Sequence, residues 1–282
     1  MKRFKQISLL TICLLTITHS VFAEQQAEDA WKKLVRSPRL LKRPAFQFVE
    51  NNPQLPNALL YGDSISIGYT DATRNALKGK ANLYRLYCNG GDSSSFITKM
   101  KNMHTAMTAK DLKDHWDFDW DVIHFNVGLH DLKYLKDRKL DRVNGKQAIS
   151  PKEYEKNLRS IIAYLKELAP KAKLIFVTTT PVPEGEPGRF DGDAAKYNQI
   201  ALKVLKNYPE IGVNDLYGFT KPHHKEWWTK PGMSTSIPPV QPRKAKNLPA
   251  SLRKNSKNGI DILTSLYRTF SSPDQILTNR TQ

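Results

Sequence analysis

Five short apolar runs, at 58–61, 81–88, 122–127, 173–179 and 211–213, are set apart by segments with helical spacing, and this alternation is the strongest constraint on the fold. Strands that alternate with helices at this interval pair in parallel, because the chain must cross back over the sheet before it can start the next strand. Right-handed crossovers then bring every strand's carboxyl end to one edge. The third run is almost continuously apolar, as in a strand covered on both faces. The helical segments lie at 66–77, from 93 through Met107, from a start at Ser150-Pro151-Lys152-Glu153 to about Leu168, and at 193–206. The start at Ser150 has a serine cap, a proline in the first turn and a glutamate three residues after the serine. The expectation is an α/β fold: a doubly wound, mostly parallel five-stranded sheet flanked by helices in three layers. An amphipathic helix over 25–41, ended by Arg43-Pro44, precedes it.

The first run stops at Gly62-Asp63-Ser64, which puts a serine hydroxyl at the carboxyl end of a strand. Ligands bind at that edge in open α/β sheets. By itself the tripeptide is also ordinary turn chemistry. Three further stretches fall on the same edge in order: Gly91-Asp92-Ser93 after strand two, Gly128-Leu129-His130-Asp131 after strand three, and the helix opened by Asp193-Ala194-Ala195-Lys196-Tyr197-Asn198 after strand four. Together, over 58–215, they resemble the SGNH/GDSL hydrolases, with Ile65 where many members have leucine. The resemblance implies a serine esterase with Ser64 as nucleophile and the Gly91 N–H as an oxyanion donor. Glycine suits that place because the substrate oxygen must approach the backbone closely. His130 stands where the family has asparagine as a further oxyanion donor, and an imidazole N–H donates as an amide does. A plain turn residue is the other reading of His130. Asp131 is read as a loop-fixing group. No cofactor or metal is implied.

In that family the base is a histidine with an aspartate three residues before it, on the loop after strand five; a serine hydroxyl is a poor nucleophile until such a base removes its proton. After Asp215 no such motif follows. Asp121-Val122-Ile123-His124 has the spelling but lies along strand three, before the catalytic edge. His223 and His224 follow strand five and read as solvated helix residues that could swing toward the site, and His104 and His115 read as surface. From Ser234 to Pro249 the chain holds four prolines, several basic residues and no hydrophobic period. Two accounts fit: a disordered basic tail, or a change of reading frame near Gly232. When the codons of 233–240 are read from one base earlier, the permitted translations include Asp-Val-His-Phe-Asn, two small residues and Gly, the kind of sequence expected for the missing block. The functional alternatives are therefore an esterase and a catalytically silent member of the fold that lacks its base.

The chain's ends and charge complete the reading. Residues 1–23 carry Lys2, Arg3 and Lys5, an apolar run at 7–17 and Ala23 before Glu24, the layout of a secretory signal peptide. The run is shorter than the roughly 20 apolar residues of a membrane span, so the expected product is secreted or periplasmic. Beyond it Cys88 is the one cysteine, and no internal disulfide can form. The domain is expected at 57–220, after an approach segment at 24–56 and before a basic tail at 221–282. The net charge is +17, and eleven Lys or Arg against three Asp or Glu fall in 219–282. No aromatic or glycine pattern of a nucleic-acid module accompanies that charge, although a polyanion-binding tail on an esterase is a further reading. The expected partner is a small-molecule or carbohydrate ester, with O-acetylated sugar as one class. The loop 184–190 is expected either to overhang the site or to be a plain surface excursion.

Overall fold

A computed structural model describes residues 25–223. The expected signal peptide, His224, the frame change at Gly232 and the tail beyond it lie outside the described residues.

The predicted sheet is present. Its strands are β1 (Asn57–Tyr61), β2 (Asn82–Arg85), β3 (Val122–Phe125), β4 (Lys173–Val177) and β5 (Gly212–Asn214). They pair in the order β5-β4-β3-β1-β2, and every pairing is parallel. β1 and β3 are neighbours, yet β1 continues outward to β2 and β3 outward to β4, so the strand order reverses between them. The crevice at such a switch point is the ligand position in open α/β sheets.

The helices are α1 (Ala27–Val35), α2 (Ser64–Leu77), α3 (Phe96–Met107), α4 (Pro151–Leu168), α5 (Asp193–Leu205) and α6 (Leu216–Thr220). α2 packs against the turn Pro44–Phe46, whereas α1 packs on α3 and α4 on α5. Successive residues of β3 serve different helices: the His124 ring meets Tyr69 of α2 edge-on, and Phe125 meets Phe96 of α3. The capping box of α4 forms as its sequence demands, with Ser150 Oγ accepting from the Glu153 N–H at 3.3 Å and the Glu153 carboxylate from the Ser150 N–H at 3.0 Å. Among the described residues no helix is long and apolar enough to cross a membrane.

Three local expectations change. The helix expected over 25–41 is broken: Arg36 takes a left-handed conformation (φ 60°), and Ser37 caps a separate turn, Pro38–Leu41. Residues 25–26 instead pair with Leu112–Lys113. The second strand is shorter than 81–88, because its pairing with β1 ends at Leu60 and Arg85. Between β3 and α4 lies an unforeseen antiparallel ribbon of Tyr134–Lys136, Lys139–Leu140 and Lys146–Gln147. Its strands are too short and too charged to show a period-2 pattern, and its turn rests on the left-handed Asp137 and Arg138.

His124 is 1 % exposed, and Asn214 Nδ2 donates to its Nε2 at 3.3 Å. Burial lowers its pKa to about 3. A histidine whose folded pKa lies below its unfolded value of about 6.5 destabilises the fold as pH falls from 6.5 toward 3. Between pH 7 and pH 5 this linkage amounts to about 2 kcal/mol. Urea unfolding should therefore show a loss of stability over that interval that is smaller by this amount in His124→Gln; identical pH dependence in the two proteins would contradict the assignment.

Candidate active site

β1 ends at Tyr61, and the next three residues turn the chain into α2. Asp63 is the helix cap, its Oδ1 accepting from the Ile65 N–H at 2.8 Å. Asp63 and Ile65 are buried, whereas Ser64 between them is exposed. As the first residue of α2, Ser64 has an N–H with no intrahelical acceptor, and none of the described residues supplies one. Hydroxyl and N–H thus sit together at the positive end of the helix dipole. Helix α2 begins two residues earlier than its sequence suggests, which makes Ser64 its first residue.

Arg85 holds that turn from beneath, and the sequence reading missed it. The side chain is fully buried on β2, with its guanidinium 4.8 Å from the centre of the Phe46 ring. Nη2 donates to the carbonyls of Gly62 (3.1 Å) and Asp63 (3.2 Å) and to Ser66 Oγ (2.9 Å), while Nη1 donates to the carbonyls of Leu86 (2.8 Å) and Cys88 (2.9 Å). One planar group therefore joins the turn before α2 to the loop after β2. Burial lowers its pKa to about 10, which leaves it charged at neutral pH. The available signal was an arginine inside the apolar run Leu83-Tyr84-Arg85-Leu86.

The loop after β2 reaches the site through Gly90 and Gly91. A Cβ on Gly90 would stand 2.8 Å from the Gly62 carbonyl oxygen, and Gly91 has φ +70°. Glycine is needed at both, for close approach and for the left-handed backbone. The Gly91 N–H, expected to face an oxyanion, donates to Asn89 Oδ1 at 2.9 Å. Asp131 Oδ1 accepts from the Ser93 N–H at 2.9 Å and so ties this loop to the one after β3. Burial raises the Asp131 pKa to about 7.

His130, on that third loop, is partly buried. Lys133 Nζ lies 2.8 Å from its Nδ1. An ammonium has no lone pair, so Nδ1 must be the acceptor and the ring proton sits on Nε2. Burial, then Lys133 and Arg189, lower the His130 pKa to about 3. The imidazole is thus a neutral donor rather than a base. Arg189, from the loop after β4, donates through Nε to the Leu129 carbonyl at 2.9 Å and through Nη1 to Glu186 at 2.7 Å. The Gly188 carbonyl accepts from the Tyr134 N–H at 2.8 Å, and the Pro187 carbonyl from the Arg142 N–H at 3.0 Å. The loop is therefore packed on the ribbon and the third loop rather than being a plain surface excursion. Asn198 of α5 fixes its root through both the N–H (2.8 Å) and the carbonyl (2.9 Å) of Thr179.

Ser64, the Gly90-Gly91 turn and the His130 loop thus share the edge that their order along the chain predicts. The family model for GDSL-like Lipase/Acylhydrolase matches residues 60–234 of this sequence. The chain belongs to this hydrolase family. Among solved structures, similar folds include a lipase/acylhydrolase from Enterococcus faecalis, 18% identical, covering 64% of this chain and 87% of that one at a TM-score of 0.44. Another is Axe2, an acetylxylan esterase from Geobacillus stearothermophilus, 15% identical, covering 80% and 98% at a TM-score of 0.46. No curated protein matches.

Three of the other described histidines, His124, His104 and His115, do not supply a base to this GDSL-family site. His124 lies within the sheet, His104 is exposed on α3, and His115 is bound through Nδ1 to the Leu112 carbonyl. His223 is the last described residue. Cys88 is half-buried where the chain leaves β2, and burial raises its pKa. Among the described residues no group of His, Cys, Asp or Glu could hold a metal ion.

Removing the guanidinium should strand the Leu86 and Cys88 carbonyls. Arg85→Met is expected to cost about 3 kcal/mol in urea unfolding; a change under about 1 kcal/mol would mean that the clamp is dispensable.

Proposed function

We propose that the protein is an exported serine esterase that removes short acyl groups, with O-acetylated carbohydrate as the substrate class. The observation that carries this reading is Ser64: exposed at the switch point, with hydroxyl and unpaired N–H side by side at the start of α2. Ser64 Oγ attacks the ester carbonyl as its proton passes to a base. The resulting oxyanion is held by the Ser64 N–H and by Nε2–H of His130. Collapse expels the alcohol, and water then releases the acid from the acyl-enzyme. Gly91 joins as a donor once its N–H leaves Asn89. Residues 1–23 serve as the export signal, and a mature mass that starts at Glu24 would support it.

A second reading, a silent protein, is favoured by one observation: the family match ends at residue 234, two residues past the proposed frame change at Gly232. No histidine placed at Ser64 by the described residues can act as base. The two readings separate when the chain as written is compared with one carrying Asp-Val-His-Phe-Asn in place of 233–237 and the shifted frame after it. Hydrolysis of p-nitrophenyl acetate should rise at least about 10³-fold in the restored chain and vanish in its Ser64→Ala variant. Equal turnover by both would show that the base lies elsewhere, and an undisturbed reading frame in the gene would refute the frame change.

The role given to His130 has its own test in the restored chain. His130→Ala should lower kcat about 10²-fold to 10³-fold, while His130→Asn, which keeps a donor, should retain most of it. Equal losses in both variants would leave His130 as a turn residue.

A further inference from the structure

Two cations near His130 have donor capacity that the described residues do not use. Lys133 Nζ has a single acceptor among the described residues, His130 Nδ1, which leaves two of its three N–H bonds. Arg189 is 9 % exposed, and its Nε and Nη1 are committed to the Leu129 carbonyl and to Glu186. Its Nη2 has no acceptor among the described residues and is not sealed from solvent. Lys133 lies against the His130 ring and Arg189 against the carbonyl of Leu129, the residue before it. Both cations therefore flank the loop that carries His130, and their charge also reaches Asp63, the cap next to Ser64.

The neighbouring carboxylates each have protein partners of their own. Glu186 takes Arg189 on Oε1 and the Gly188 N–H on Oε2 at 2.9 Å. Asp63 Oδ1 takes the Ile65 N–H, and Asp92 Oδ1 takes the N–H groups of Ser94 (3.1 Å) and Ser95 (3.3 Å). Lys99 adds a third cation nearby, donating to the Asn89 and Gly90 carbonyls, which carry no formal charge. The buried Glu186 also holds the Arg189 fork in place, so little side-chain entropy remains to be lost when an anion arrives.

We propose that Lys133 and Arg189 form a subsite for an anionic group, so that the preferred ester carries a carboxylate close to the acyl linkage. This rests on Ser64 being the reacting residue. The carboxylate exchanges water for charge-assisted hydrogen bonds from a lysine ammonium and an arginine fork. The pairing is strongest at low ionic strength, because the mouth of the site is open to screening.

Binding tests the subsite without any need for turnover. In the Ser64→Ala chain, 4-acetoxybenzoate and its neutral methyl ester are titrated by calorimetry in low salt. The anion should bind at least about tenfold more tightly. That preference should shrink at high salt and fall to about twofold or less in Arg189→Gln and in Lys133→Gln. Equal affinities, no binding of the anion at millimolar concentration, or a preference unchanged in both variants would overturn the proposal. Failure of the esterase reading shows up separately, as no Ser64-dependent hydrolysis of the neutral ester by the frame-restored chain.

Discussion

The buried guanidinium of Arg85 is the interaction on which the rest of the site depends. It lies on the edge strand β2, yet its five contacts converge on the turn at the end of β1 and on the loop that leaves β2. A charge in the interior is tolerated only when it is well hydrogen-bonded, and here four of the five acceptors of the two Nη groups are backbone carbonyls. The Tyr61 hydroxyl adds a bond to the Gly90 carbonyl at 2.9 Å, and the Gly90 N–H one to the Gly62 carbonyl at 3.0 Å. Ser64 is therefore held on a turn whose carbonyls are fixed from one side, with its own N–H left open on the other.

The third loop solves a related problem differently. Where the family resemblance implies an asparagine amide, this chain has an imidazole, which is a dependable donor only if its tautomer and charge are fixed. Lys133 fixes the first by occupying Nδ1, and burial among cations fixes the second by lowering the pKa to about 3. Asparagine needs neither device. The replacement thus brings a lysine with it, and that lysine adds positive charge to the mouth of the site. The ribbon inserted after Lys133 and the Arg189-Glu186 pair pack against each other and keep both cations in place.

Much of the fold was legible because it rests on short-range signals. The apolar runs, the capping box at Ser150 and the Gly62-Asp63-Ser64 stop each encode their element within a few residues. The misread parts have non-local causes. Arg36 breaks α1, and residues 25–26 pair with a strand more than eighty positions away. The ribbon is held as much by the loop at 186–188 as by its own pairing. Gly91 was expected for the close approach of a substrate oxygen; its left-handed backbone and the acceptor of its N–H, Asn89, depend on how that turn closes.

The amino-acid sequence by itself determined the parallel α/β architecture, the serine at a strand's carboxyl end and the lack of an Asp-x-x-His motif after Asp215. These follow from periodicity, residue type and order along the chain. Only the tertiary structure decided that Ser64 starts its helix with a free N–H, that Arg85 braces its turn, and that His130 is a neutral donor paired with Lys133. Each of these rests on groups from different elements meeting in space, where burial and a neighbouring charge set what a side chain can donate or accept.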